Sequence, residues 1–142
     1  FDPGINALSI VTRIMPESFH LTASDLFFPD NRAAPIAAKL AFGSASGIPV
    51  SAEFDWRQTG PQTWDIRVET EEGPVVLTHG GSRLSIDGNT RIVEEDREYR
   101  NLYEDFVRLV GEGRIDVDFS PLVHIADAFM LGRRHAVEAF ED

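Results

Sequence analysis

Along the first fifteen residues, Ile5, Leu8, Ile10, Val11 and Ile14 cover most of a helical circumference, while Asp2, Asn6, Ser9 and Arg13 fall on one polar stripe. Asp2-Pro3 supplies a start signal, because an Asp side chain accepts from exposed N–H groups and proline tolerates the first helical position. The pattern predicts a mostly apolar helix with one polar seam. Two readings of that seam stay open: a cap with a solvated edge, or a carboxylate and an amide that together hold a polar small molecule.

After Pro16 the period drops to two. Phe19, Leu21 and Ala23 alternate with His20, Thr22 and Ser24, and Ile36, Ala38, Leu40 and Phe42 alternate with Ala37, Lys39 and Ala41. The clearest alternation sets Ile48, Val50, Ala52, Phe54 and Trp56 against Pro49, Ser51, Glu53, Asp55 and Arg57. Trp64, Ile66 and Val68 against Asp65, Arg67 and Glu69 follow the Thr59-Gly60-Pro61 turn. Residues 75–78 and 83–86 add two short strands joined at Gly80-Gly81, closed by Asp87-Gly88-Asn89. Across the Thr59-Gly60-Pro61 turn, charge favours a register that sets Arg57 opposite Asp65 and Asp55 opposite Arg67, at the cost of Glu53 facing Glu69.

The helical period returns with Tyr99, Leu102, Tyr103, Phe106, Val107 and Val110, ended by Gly111 and Gly113, and this amphipathic helix is expected to lie on the sheet. Ser120-Pro121 starts a last helix with Leu122, Ile125, Ala126, Phe129 and Met130 as its apolar face. The expected fold is α+β: an open-faced, predominantly antiparallel six-stranded sheet with helices on one face and the other left to solvent or a second subunit.

With 142 residues the chain suits one domain, residues 1–142. A formal charge of −11 repels nucleic acid and anionic membrane surfaces, and no apolar run approaches a membrane span. The absence of cysteine removes disulfides and thiolate chemistry and suits a reducing cytoplasm, the expected location. Phe1 is not a translation start, so the chain reads as a piece cut from a longer protein at a domain boundary.

His20, His79, His124 and His135 lack zinc-site spacing, and Gly43-Ser44-Ala45-Ser46-Gly47 lies between two strands, outside the strand-to-helix context of a nucleophile elbow. Gly80-Gly81 reads as a hairpin and not a phosphate loop. His124 and Asp127 are three apart on a helix and suit a surface ion pair better than a dyad. Trp56 and Trp64 flank a turn as sheet-packing aromatics, with a flat face at Trp64 that could wall a sugar site.

The stretches 1–10, 54–66 (Phe-Asp-Trp-Arg-Gln-Thr-Gly-Pro-Gln-Thr-Trp-Asp-Ile) and 127–134 (Asp-Ala-Phe-Met-Leu-Gly-Arg-Arg) carry a resemblance covering nearly the whole chain. It resembles the C-terminal domain of the glucose-fructose oxidoreductase and inositol dehydrogenase family, in the aldose 1-dehydrogenase branch that acts on D-galactose and L-arabinose. Most of that family places His at the fifth position of the helix motif; Asn6 stands there in this chain, as in the aldose branch. The resemblance implies that Asp2 and Asn6 reach the anomeric hydroxyl of a small sugar. It also implies a preceding Rossmann domain that binds most of an NAD or NADP cofactor and supplies a lysine, and homo-oligomers that pack through the open sheet face. The implied reaction transfers hydride from C1 to the nicotinamide and gives the lactone; the chain by itself is expected to be inactive.

Overall fold

The computed structural model of the chain describes residues 2–60, 65–95 and 97–141, without the side chains of Asp2 and Pro3. Two compact units divide it: residues 1–58 with 117–142, and residues 59–116.

In the first unit, α1 (Asp2–Ile14) is followed by β1 (Phe19–Pro29), β2 (Ala37–Ser44) and β3 (Pro49–Asp55), and after the second unit by α3 (Ser120–Leu131) and β8 (Arg133–Val137). Their sheet runs β3-β2-β1-β8, antiparallel except for β8, which lies parallel to β1. Leu8 of α1, Ile125 and Ala128 of α3, and Phe19, Leu26, Ala38, Leu40 and Phe42 of the sheet form the core. Val50, Ala52 and Phe54 pack at its edge, as the alternation of β3 predicts.

The second unit holds β4 (Ile66–Thr70), β5 (Gly73–Thr78), a 3-10 turn at His79–Gly81, β6 (Arg83–Ile86), β7 (Asn89–Val93) and α2 (Glu98–Glu112). Its strands form an antiparallel meander in chain order.

The α+β class is therefore observed, but the six-stranded sheet is not. Among the described residues eight strands make two four-stranded sheets, with β7 and β8 added to those expected. The register built on charge also fails, because β3 pairs with β2 and β4 with β5. Each arginine finds a carboxylate two residues away along the chain. Arg57 donates through Nε and Nη2 to the two Asp55 oxygens at 2.9 and 2.6 Å, and Arg67 Nε reaches Glu69 at 2.6 Å. Glu53 faces Lys39 at 3.6 Å and not Glu69.

Parity also changes inside β1. A register shift between Leu21 and Ala23 turns Ala23 outward and buries Ser24, whose hydroxyl donates to the Ala128 carbonyl at 2.9 Å. That carbonyl lies in the last turn of α3, where helix carbonyls lack intrahelical partners. Gly132 follows, so close to the sheet that a Cβ there would sit 2.3 Å from the Ala128 oxygen and 2.7 Å from Ser24 Oγ.

The buried stripe of α3 is Pro121, His124, Ile125 and Ala128, so the expected face was rotated, and Met130 is 74% exposed. The sequence pattern counts histidine as polar, yet His124 lies flat on Phe19 with ring centroids 4.6 Å apart. Ser120 does not cap this helix: Phe119 holds the N-cap position, and the Ser120 N–H donates back to Asp118 Oδ1 at 2.8 Å. In α2 the start at Glu98 matches the expectation, but the helix runs through Gly111 to Glu112, and Gly113 in a left-handed conformation (φ 62°) closes it onto the Leu109 and Val110 carbonyls. Its expected seat on the sheet does not match: no residue of α2 is buried. No described helix is long and apolar enough to cross a membrane.

Candidate functional site

The seam of α1 is where the sequence places its chemistry. Leu8 is 2% exposed and turns this helix onto the core, which leaves Asn6, Ser9 and Arg13 outward. Gly4 is buried, with room at its Cα for little more than a methyl group before Ile125 Cδ1 at 3.5 Å and the Phe54 ring at 4.0 Å. The first turn is thereby seated on both α3 and β3. Ser9 Oγ donates to the Asn6 carbonyl at 2.7 Å, and Thr12 Oγ1 to the Ser9 carbonyl at 3.0 Å. The hydroxyls of the seam are thus spent on the helix backbone, and the Asn6 amide stays exposed and able to donate and accept at once. Asp2 opens α1 one turn before Asn6, so the two positions share a face, but the Asp2 side chain lies outside the described residues. Trp64 lies outside them too, and so does any contact it makes.

The other candidates resolve into structural roles. Gly43-Ser44-Ala45-Ser46-Gly47 is the β2–β3 hairpin, where Ser44 Oγ accepts the Ile48 N–H at 2.8 Å and Ser46 donates a short hydrogen bond to Glu17. The hydrogen bonds from Ser46 and Ser44 hold the Glu17 carboxyl below its usual range. Gly80-Gly81 closes a turn between two strands. His124 is buried, its Nδ1 has no hydrogen-bond partner, and burial pushes its pKa down. It therefore makes neither an ion pair nor a dyad with Asp127. Trp56 is half exposed and tilts against Phe54 at 6.2 Å. Arg57 sits on Asp55, and that bidentate contact lowers the Asp55 carboxyl to about 2.

The face of the first sheet opposite its core carries a feature that the linear sequence hides. Strand register lines up Arg133, Asp25, Lys39 and Glu53 across β8, β1, β2 and β3, a row of alternating sign. Arg133 Nε lies 3.3 Å from Asp25, and His135 Nε2, one step along β8, lies 2.7 Å from the same Asp25 oxygen. The His135 hydrogen bond, followed by the charges of Arg133, His135 and Lys39, holds the Asp25 carboxyl below its ordinary value. Phe27 stacks under His135 at 5.1 Å. The alternation of Arg133, His135 and Val137 with Arg134 and Ala136 was the available signal, but it reads as a polar tail until β1 is known to pair with it.

No protein-family model matches the chain. Over all 142 residues it is 42% identical to a galactose 1-dehydrogenase from Pseudomonas fluorescens, of which it covers 47%. The crystal structure of a D-galactose 1-dehydrogenase from Rhizobium etli superposes with a TM-score of 0.88 at 56% identity, over 99% of this chain and 45% of that one. A 3-ketoreductase from Actinomadura kijaniata, solved with NADP and TDP-benzene, gives a TM-score of 0.74 over 96% of this chain and 48% of that one. At 8% identity it shares the fold alone. These matches bear out the resemblance to the aldose 1-dehydrogenase branch, and they span α1, both sheets and β8 together. The chain covers about half the length of the relatives it matches, and across that half it is similar to galactose 1-dehydrogenases.

Proposed function

We propose that this chain is the substrate-binding half of a nicotinamide-dependent aldose 1-dehydrogenase that oxidises D-galactose, or a sugar of like stereochemistry such as L-arabinose, at C1 to the lactone. The observation that carries the reading is identity of 42% and 56% to galactose 1-dehydrogenases over essentially every residue, the α1 seam included. The nicotinamide, NAD or NADP, supplies the hydride acceptor. Among the described residues the positive-φ glycines lie between strands (Gly47, Gly60, Gly73, Gly80, Gly81 and Gly88) or at the end of α2 (Gly113), and none opens a helix as a phosphate cradle requires. The cofactor is accordingly assigned to the other half of the enzyme.

This chain's residues act at O1. Oxidation breaks the C1–H and O1–H bonds and forms C1=O1, so the O1 proton needs an acceptor and O1 a fixed position. Asp2, at a helix N-terminus, is an acceptor whose charge the helix dipole favours, which makes it better at orienting the hydroxyl than at keeping its proton. Asn6, one turn on, holds O1 by donating its amide N–H. The resemblance assigns the final proton acceptor to a lysine of the other half. Replacing Asn6 by Ala in the full-length enzyme is expected to lower galactose turnover by about 10²-fold, the low end for a group acting on proton transfer. Asn6 is exposed, so the fold should persist. Unchanged turnover would remove the assignment.

A second reading, favoured by the charge row, gives the open face to another copy of the chain. Reversed by a two-fold axis between β1 and β2, the row sets Arg133 against Glu53 and Asp25 against Lys39 of the partner, so the face is complementary to itself. Taken alone it is the alternative function, a non-catalytic assembly module; taken with the first, it describes a homo-oligomeric enzyme.

A further inference from the structure

We infer that the apolar face of α2 is a docking surface for the part of the full-length enzyme that this chain does not span. The inference rests on the reading of the chain as one half of such an enzyme. Tyr99, Leu102, Tyr103, Phe106, Val107 and Val110 recur at helical spacing and are between 59% and 69% exposed. A helix of 15 residues is marginal in water without tertiary packing, and this one has no buried residue. Something apolar covers this stripe in the working protein.

The chemistry of the helix narrows what that is. Its charged side is satisfied internally: Arg100 pairs with Glu104 at 3.0 Å, and Arg108 with Asp105 at 3.1 Å and Glu112 at 3.5 Å. A partner recognised by charge would have to break these pairs, whereas an apolar partner gains three aromatic rings without doing so. The three aromatic rings of the stripe by themselves offer roughly 600 Å², taking each at its usual buried area, below the ~800 Å² per partner of a stable complex between separate chains. That area suffices for a contact between covalently joined domains, where the tether supplies the effective concentration. The relatives are about twice as long as this chain, so in them a further stretch of similar length is covalently joined to it.

Hydroxyl-radical footprinting of the full-length protein over a dilution series tests the inference at Tyr99, Tyr103 and Phe106. Labelling about fivefold or more slower than in the urea-unfolded chain, and unchanged on dilution, is the expected result. Labelling at the unfolded rate would overturn it, and so would protection lost on dilution, which would give the stripe to a second copy. In the full-length protein, Phe106→Asp is expected to split one melting transition into two while sedimentation stays unaltered, and Arg100→Ala is expected to change neither. A Phe106→Asp protein that keeps a single transition, or that dissociates an oligomer, would count against the docking. Sugar oxidation is scored separately: its absence with the footprint intact would remove the proposed function and leave the docking standing.

Discussion

His135 on β8 places its Nε2 2.7 Å from Asp25 Oδ1 on β1, joining residues 110 positions apart in the chain. The contact holds the last strand against the middle of its sheet. Asp25 titrates below its ordinary 3.8, with the His135 hydrogen bond as the first cause. A carboxyl depressed in this way adds stability above its unfolded pKa and loses it as pH falls through the folded one. Asp25→Asn is therefore expected to lower the urea midpoint at pH 5, with the gap to the parent closing as pH drops below 3.8. A gap of constant size from pH 5 to pH 3 would show that the charge of Asp25 is not what matters.

His124→Phe should keep the stacking on Phe19 while removing an unpartnered buried nitrogen, a gain of about 1 kcal/mol at neutral pH. Burial lowers the imidazole below its ordinary 6.5, so as pH falls past 6.5 the unfolded chain binds the proton first and the parent loses stability. The variant has no such term. Its advantage in chemical denaturation is expected to grow between pH 7.5 and pH 5, and a pH-independent difference would contradict the assignment.

Gly132→Ala puts a Cβ within 3 Å of both the Ala128 carbonyl and Ser24 Oγ. The backbone dihedrals there (φ −70°, ψ 140°) suit any residue, so the cost is steric and not conformational. A loss of about 2 kcal/mol or more is expected from forced separation of α3 and β1, read from the urea midpoint. Ser24→Ala, which removes one of the obstructing atoms, should recover part of it.

Exchanging Lys39 and Glu53, as the double variant Lys39→Glu with Glu53→Lys, preserves the pair between β2 and β3. It also turns the row into plus, minus, minus, plus, which opposes like charges throughout a two-fold assembly. Sedimentation of the full-length protein at low salt is expected to show the parent associating and the exchanged protein shifted toward monomer. Equal association of the two would exclude the open face as the interface.

Where local periodicity decided the outcome, the sequence was legible. The polar seam of α1, the half-buried face of β3 and the ends of α2 all follow from apolar spacing and a terminating glycine. What escaped was decided by distant partners. The parity change in β1 depends on its register against β2, and β8 is a strand only because β1 accepts it. Arg57 pairs with the carboxylate two residues away and not with one across strands. His124 defeated the pattern because its ring behaves as an aromatic on the buried face. The candidate site was legible in part: Asn6 is exposed on the seam as its spacing predicts, whereas Asp2 entered through the helix start and the resemblance, and Trp64 through its flat ring alone.

The parallel β1–β8 pairing also orders events on the ribosome. The fourth strand of the first sheet is made only after the whole of residues 59–116 and α3 have been synthesised. The meander of β4 to β7, by contrast, contains all of its own pairings within a short stretch and can close early. During synthesis β1 therefore waits with its Asp25–Pro29 edge open, and the charge of Asp25 blunts that edge against the wrong neighbour.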